Sequence, residues 1–144
     1  MPDITIYKLV VSLLLTQRII QADFAPEKLF VEALKCREES LATKDDLHSI
    51  ALRIPPETMS GKCTLLCMMT NHGLIQNGRY SQENTYEFLK KHFPERPMMV
   101  RDMEETASNC QYISDKVPED YQGTCEHAYI LAVCIQENLK GVKL

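Results

Sequence analysis

An all-α domain of about six short helices held by three disulfides is what this sequence predicts, and three observations carry the prediction. Cysteines stand at Cys36, Cys63, Cys67, Cys110, Cys125 and Cys134. An even number in a short chain reads as three bridges made in an oxidising compartment. The gap of three residues between Cys63 and Cys67 is one helical turn, and the gap of eight between Cys125 and Cys134 is about two and a half turns. Elsewhere apolar residues recur at helical period between proline and glycine stops, with no convincing strand. The 144 residues suit one domain.

Lys8 precedes the apolar run Leu9-Val10-Val11-Ser12-Leu13-Leu14-Leu15, and a polar stretch then leads to the small Ala22 before Asp23. Residues 1–22 therefore read as a signal peptide cleaved after Ala22, and residues 23–144 as the domain. The run is too short to span a bilayer. Pro26 suits a first helical turn, followed near helical period by Phe30, Ala33, Leu34, Arg37 and Leu41. Thr43 is placed to cap a second helix, with Asp46 three residues on and Leu47, Ile50 and Ala51 sharing a face; Pro55-Pro56 ends it. Met59, Cys63, Leu66, Cys67 and Thr70 form the next stripe, which Gly73 stops. Asn77-Gly78 usually marks a hairpin, but its flanks do not alternate, so a loop between helices is expected. Ser81 caps a helix carrying Thr85, Phe88 and Leu89 that stops before Pro94. Pro97 precedes a stretch with Met99, Met103, Thr106, Cys110 and Ile113. Pro118 opens the last helix, with Cys125, Tyr129, Ala132, Val133, Gln136 and Leu139, ended near Gly141.

Six cysteines allow fifteen pairings. Cys63 and Cys67 point from one helix face toward neighbours rather than at each other. Cys125 and Cys134 are ~13 Å apart along a helix, beyond disulfide reach. Each excluded bond removes three pairings, one of them shared, and ten remain open. Nine residues are also about half a turn out of phase, so these two sulfurs leave the last helix on opposite sides and clamp it between two others. Covalent staples relax the need for a filled core and so permit a hollow apolar interior.

The net charge is −4 for the full sequence and −5 after cleavage, because residues 1–22 carry Lys8 and Arg18 against Asp3. A mildly acidic surface argues against nucleic acid and anionic membranes as partners. No Gly-x-Ser-x-Gly, His-Glu-x-x-His or phosphate-cradling loop is present, and paired cysteines are poor nucleophiles; neither catalytic residues nor a cofactor is expected. Cys63 and Cys67 lack a second matched pair for zinc, so no metal site is expected. His48, His72, His92 and His127 are the groups whose unperturbed titration falls near pH 5–7, and protonating one of them is expected to loosen the pocket near an acidic membrane surface.

The cysteine spacing, the segment Cys125-Glu126-His127-Ala128-Tyr129-Ile130-Leu131-Ala132-Val133-Cys134 and the turn Gly73-Leu74-Ile75-Gln76-Asn77-Gly78 resemble the insect odorant-binding proteins of the six-cysteine subclass. The likeness runs over essentially the whole chain. It implies a compact bundle around a buried apolar cavity, with interlocked bridges Cys36–Cys67, Cys63–Cys125 and Cys110–Cys134. It also implies a secreted carrier of odorants, pheromones or similar small hydrophobic molecules through aqueous lymph, with an olfactory receptor as a further partner. No stable membrane insertion is expected, and the state is a monomer or weak homodimer. The tail from Leu139 to Leu144 is too short for the inserting helix of some members, and would instead line or cover the pocket with Val142 and Leu144.

Ligand binding in such a pocket is partition out of water, with a few polar groups for orientation. The inward stripes supply the candidate wall: Leu47, Ile50, Ile54, Met59, Leu66, Met69, Leu74, Phe88, Leu89, Met99, Met103, Tyr112, Tyr129 and Val133. Tyr112 and Tyr129 add hydroxyls for a ligand oxygen. The alternatives are a non-olfactory carrier or scavenger of the same family, and a disulfide-rich helical protein that acts on membranes or proteins. Saposin-like chains pack cysteines close together near each end, and this chain does not.

Overall fold

A computed structural model describes the backbone of residues 4–6, 8, 25–92 and 97–139, and the side chains of all these except 25–29, 89–92, 97–100 and 139. The signal-peptide reading of residues 1–22, cut after Ala22, falls almost wholly outside the described residues. So do Pro94, Gly141 and the tail residues Val142 and Leu144.

From Ala25 onward six α-helices follow: α1 (Ala25–Ser40), α2 (Lys44–Ala51), α3 (Met59–Asn71), α4 (Gln82–His92), α5 (Pro97–Asp115) and α6 (Cys125–Leu139). Two short strands, β1 (Ile75–Gln76) and β2 (Arg79–Tyr80), lie between α3 and α4, and a 3-10 turn (Glu119–Tyr121) leads into α6. α6 packs between α3 and α5, α1 packs on α3, and α4 packs on α5.

The disulfides follow this packing. Cys36–Cys67 joins α1 to α3, Cys63–Cys125 joins α3 to α6, and Cys110–Cys134 joins α5 to α6, with Cα separations of 5.7, 4.5 and 5.8 Å. α6 is thus held from opposite sides at its two cysteines, as their half-turn phase requires. Loop entropy puts each bridge at about 3–4 kcal/mol.

Local chemistry sets most helix ends. At α2 the Thr43 side chain accepts from the Asp46 N–H (3.2 Å), while Asp46 accepts from the Thr43 N–H (2.9 Å), a reciprocal capping box. Thr58 caps α3 through the Gly61 N–H at 3.0 Å, and Ser81 caps α4 through the Asn84 N–H at 3.1 Å. α3 stops where expected. The Gly73 N–H bonds the Thr70 carbonyl (3.0 Å) and the Leu74 N–H bonds the Met69 carbonyl (2.8 Å), the paired pattern of a Schellman turn.

Two expectations are corrected. Asn77-Gly78 does make a hairpin: β1 and β2 pair antiparallel with Ile75 opposite Tyr80 and Gln76 opposite Arg79. Asn77 (φ 52) and Gly78 (φ 77) both take the left-handed conformation that a two-residue turn of this hand demands. Ile75 and Tyr80 turn inward while Gln76 and Arg79 face out. The alternation is real but only two residues long on each side, too short to show as a period. Pro118 does not open the last helix either. It begins the 3-10 turn, and α6 starts at Cys125, after the left-handed Gly123.

Candidate functional site

The sealed core joins α3, the hairpin, α5 and α6 through Met69, Ile75, Tyr80, Cys110, Ala128, Leu131 and Cys134. Leu65, Leu66, Leu74, Ala132 and Ile135 pack against it while remaining only partly buried. The Tyr80 hydroxyl donates to the Ala107 carbonyl of α5 at 3.1 Å, which fastens the hairpin to that helix.

The candidate wall residues separate into three groups. Leu47, Met69 and Met103 are buried. Ile50, Leu66, Leu74, Phe88, Tyr129 and Val133 are half-buried, so each keeps apolar surface that a ligand could cover. Ile54 (50 % exposed), Met59 (64 %) and Tyr112 (62 %) face solvent, against the inward direction their stripes suggest. The disulfide explains Tyr112: Cys110 is turned inward, and a residue two positions on is rotated about 200° away. There its ring lies 4.0 Å from the Lys116 ammonium. Met59 is the first residue of α3, and Ile54 follows the C-cap of α2, where no neighbouring helix covers them. The side chains of Leu89 and Met99 lie outside the described residues. The half-buried Tyr129 ring stacks under Lys62 (4.3 Å), which also bonds Glu126 at 2.8 Å.

Sequence reading missed Ile75, Tyr80 and Leu131 as parts of this apolar centre. The Asn77-Gly78 turn was the available pointer to the first two.

Of the four histidines, His48 is exposed, His72 packs edge-on to the Phe88 ring (4.8 Å), and the His92 side chain lies outside the described residues. Among the histidines with described side chains, His127 alone is fully buried. Its Nδ1 accepts from the Gly123 N–H at 3.0 Å, so the ring proton sits on Nε2, which donates to the Ser114 hydroxyl at 2.8 Å. Burial, helped by the charge of Arg79, lowers its pKa from the ordinary value. Gln122 ties the same turn to α5 by donating to the Ser114 and Val117 carbonyls, both at 2.9 Å.

A groove of about 800 Å³ opens where α3 ends, bounded by β1 and α4. Phe88 is the one candidate wall residue among those lining it; its other walls are mainly polar. Among the described residues no cluster of His, Cys, Asp and Glu has metal-binding geometry, and no helix is long and apolar enough to cross a membrane.

Comparison with known proteins agrees with this architecture. The model of the PBP/GOBP family matches residues 26–138. General odorant-binding protein 28a of Drosophila melanogaster is 31 % identical over 114 residues, covering 78 % of this chain and 76 % of its own. General odorant-binding protein 19d of the same fly is 28 % identical over 112 residues, 75 % of this chain and 69 % of its own. The solved structure of Drosophila odorant-binding protein 28a superposes with a TM-score of 0.65 at 30 % identity, over 79 % of this chain and 91 % of that one. A pheromone-binding protein from the cockroach Leucophaea maderae, solved with the fluorescent reporter 1-anilinonaphthalene-8-sulfonic acid, shares the fold at a TM-score of 0.59 and 17 % identity, over 78 % of this chain and 92 % of that one.

Proposed function

This chain belongs to the PBP/GOBP family, and from that premise we propose that it is a secreted carrier of small hydrophobic molecules. It takes an odorant, pheromone or similar compound into an apolar site beside the α3–α6 core and moves it through extracellular fluid toward a receptor. The mature domain begins at Asp23, after removal of residues 1–22.

The observation that supports this reading best is the contrast within the core helices. Leu66 and Leu74 pack half-buried against the core in which Met69 and Leu131 are sealed, and Tyr129 and Val133 are half-buried on α6. Such side chains leave apolar surface in contact with water, and a ligand that covers it is driven by the same term that folds the domain. A ligand that removes about 300 Å² from water gains about 7 kcal/mol before the costs of association. Methionine suits such a wall because its flexible, polarisable side chain adapts to different shapes.

Binding without turnover fits the one buried serine–histidine pair among the described residues. The His127 Nε2 donates to Ser114, and its Nδ1 is occupied by the Gly123 N–H, so no nitrogen is left as a base toward the hydroxyl.

The test is displacement of 1-anilinonaphthalene-8-sulfonic acid from the oxidised protein, begun at Asp23, by long-chain alcohols, acetates, aldehydes and aromatic volatiles. Micromolar displacement is expected. Val133→Lys should abolish it, while Tyr112→Lys, on the outer face, should leave it intact. A probe that fails to bind while the disulfides and helical spectrum are intact would mean a filled core, and would overturn the reading.

A further inference from the structure

We propose that Tyr121 is a tyrosine O-sulfation site, modified while the chain passes through the secretory compartments. The inference rests on the secreted reading above and is independent of the carrier site. The chain has six tyrosines, and Tyr121 alone directly follows two acidic residues, Glu119 and Asp120. It closes the 3-10 turn Glu119–Tyr121 and is 52 % exposed, with Glu119 and Asp120 also exposed beside it.

A transferase that adds sulfate holds a polyanionic nucleotide donor, so its site is cationic, and carboxylates beside the acceptor steer the substrate into it. The acceptor phenol must also reach that site from a backbone that is not locked into a long helix. Tyr121 meets both demands. Pro118 (ψ 146) and Gln122 (ψ 132) are extended on either side of the turn. The main-chain bonds of Tyr121 are local: its N–H donates to the Pro118 carbonyl (2.9 Å), and its carbonyl accepts from the Thr124 N–H (3.2 Å) and hydroxyl (2.7 Å). The segment is pinned at its flanks, by Glu119 on Arg79 and by Gln122 on the Ser114 and Val117 carbonyls, which leaves the tyrosine at the tip. The other described tyrosines lack these features. Tyr80 is buried, Tyr86 and Tyr129 are half-buried on helices, and Tyr112 lies on α5 with the Lys116 ammonium 4.0 Å from its ring. In the transfer, the Tyr121 phenol oxygen attacks the sulfur of an adenosine phosphosulfate. An O–S bond forms, the bond from sulfur to the bridging phosphate oxygen breaks, the phenol proton passes to a base of the transferase, and the adenosine bisphosphate leaves with the electron pair. The product carries a fixed negative charge on the turn that leads into α6.

The experiment has two arms. In the first, the oxidised protein begun at Asp23 is incubated with a purified tyrosine O-sulfotransferase and radiolabelled adenosine phosphosulfate. Wild type should take up label, Tyr121→Phe should take up none, and Tyr112→Phe should match wild type. Asp120→Asn, at an exposed side chain, should slow labelling about tenfold. In the second arm the full chain is expressed in insect cells, and the secreted protein is weighed intact after phosphatase treatment, with and without chlorate to deplete the donor. A sulfo group that survives phosphatase and disappears with chlorate or with Tyr121→Phe is expected. Absence of label on wild type, label persisting in Tyr121→Phe, equal rates for Asp120→Asn, or a group that phosphatase removes would overturn the proposal. A chain secreted without sulfate would overturn it while leaving the secreted reading intact, whereas a chain retained inside the cells would overturn both.

Discussion

Asp46 and His127 are both sealed from water, yet the fold keeps one charged and the other neutral. Asp46 is 3 % exposed and His127 is fully covered. Burial alone would neutralise both. For Asp46 burial does push the pKa up, but hydrogen bonds from Thr58, the Thr43 backbone, the Thr43 hydroxyl and Ser60 outweigh it and leave the pKa below the ordinary value. His127 meets a backbone donor at Nδ1, so taking up a proton would set two N–H groups against each other. Burial sets the cost of carrying charge, and the partners decide whether the group carries it.

The difference gives two pH windows. An unfolded chain binds a proton on His127 below about pH 6.5, and the folded chain resists it, so stability falls as pH drops from there toward the lowered folded pKa. The Asp46 contribution is complete above about pH 3.9 and is lost only as pH falls through its own lowered value. Mild acid therefore acts on the turn between α5 and α6, and strong acid on the start of α2.

The sharpest way to break the comparison is Asp46→Ala. It removes the acceptor of four part-buried hydrogen bonds, among them the returning half of the α2 capping box, and should cost about 3 kcal/mol in denaturant unfolding. Gly123→Ala comes next. A Cβ there would stand 2.6 Å from the Gly78 Cα, at a φ of +71 that side chains resist, so the His127 turn should lose about 2 kcal/mol. His127→Asn keeps an acceptor near Nδ1 but gives up Ser114. It should cost about 1–2 kcal/mol at pH 7 and flatten the stability profile between pH 7 and 5, whereas Asp46→Asn should leave that slope unchanged. The smallest effect is a gain. Arg53 ends α2 at φ 60 in the same paired turn that Gly73 makes for α3, with the Arg53 N–H on the Ile50 carbonyl and the Ile54 N–H on the Ser49 carbonyl. Arg53→Gly should raise the melting temperature by relieving about 0.5–1 kcal/mol of strain.

The same contrast marks what sequence could reveal. The Thr43–Asp46 box, the Gly73 stop and the clamped α6 were legible because each is local: a cap, a glycine or a phase angle between two cysteines. The cysteine pairing was legible only through resemblance, since geometry left ten choices. The hairpin escaped because a two-residue strand has no period to detect. The burial of His127 escaped because its partners lie 13 residues back on α5 and in the turn before α6. Wall residues were the least legible. A helical stripe gives a face but not how deeply it is covered, so Tyr112 and Val133 looked alike in sequence and differ in the fold.

The carrier claim is tested most directly by solubilisation. The oxidised protein begun at Asp23 would be equilibrated with labelled dodecanol layered on buffer, and the label in the aqueous phase counted with and without Val133→Lys. The account predicts aqueous label rising in proportion to wild-type protein, up to about one molecule per chain, with no rise for the variant. No rise above buffer for correctly disulfide-bonded wild type, or an equal rise for both proteins, would contradict it.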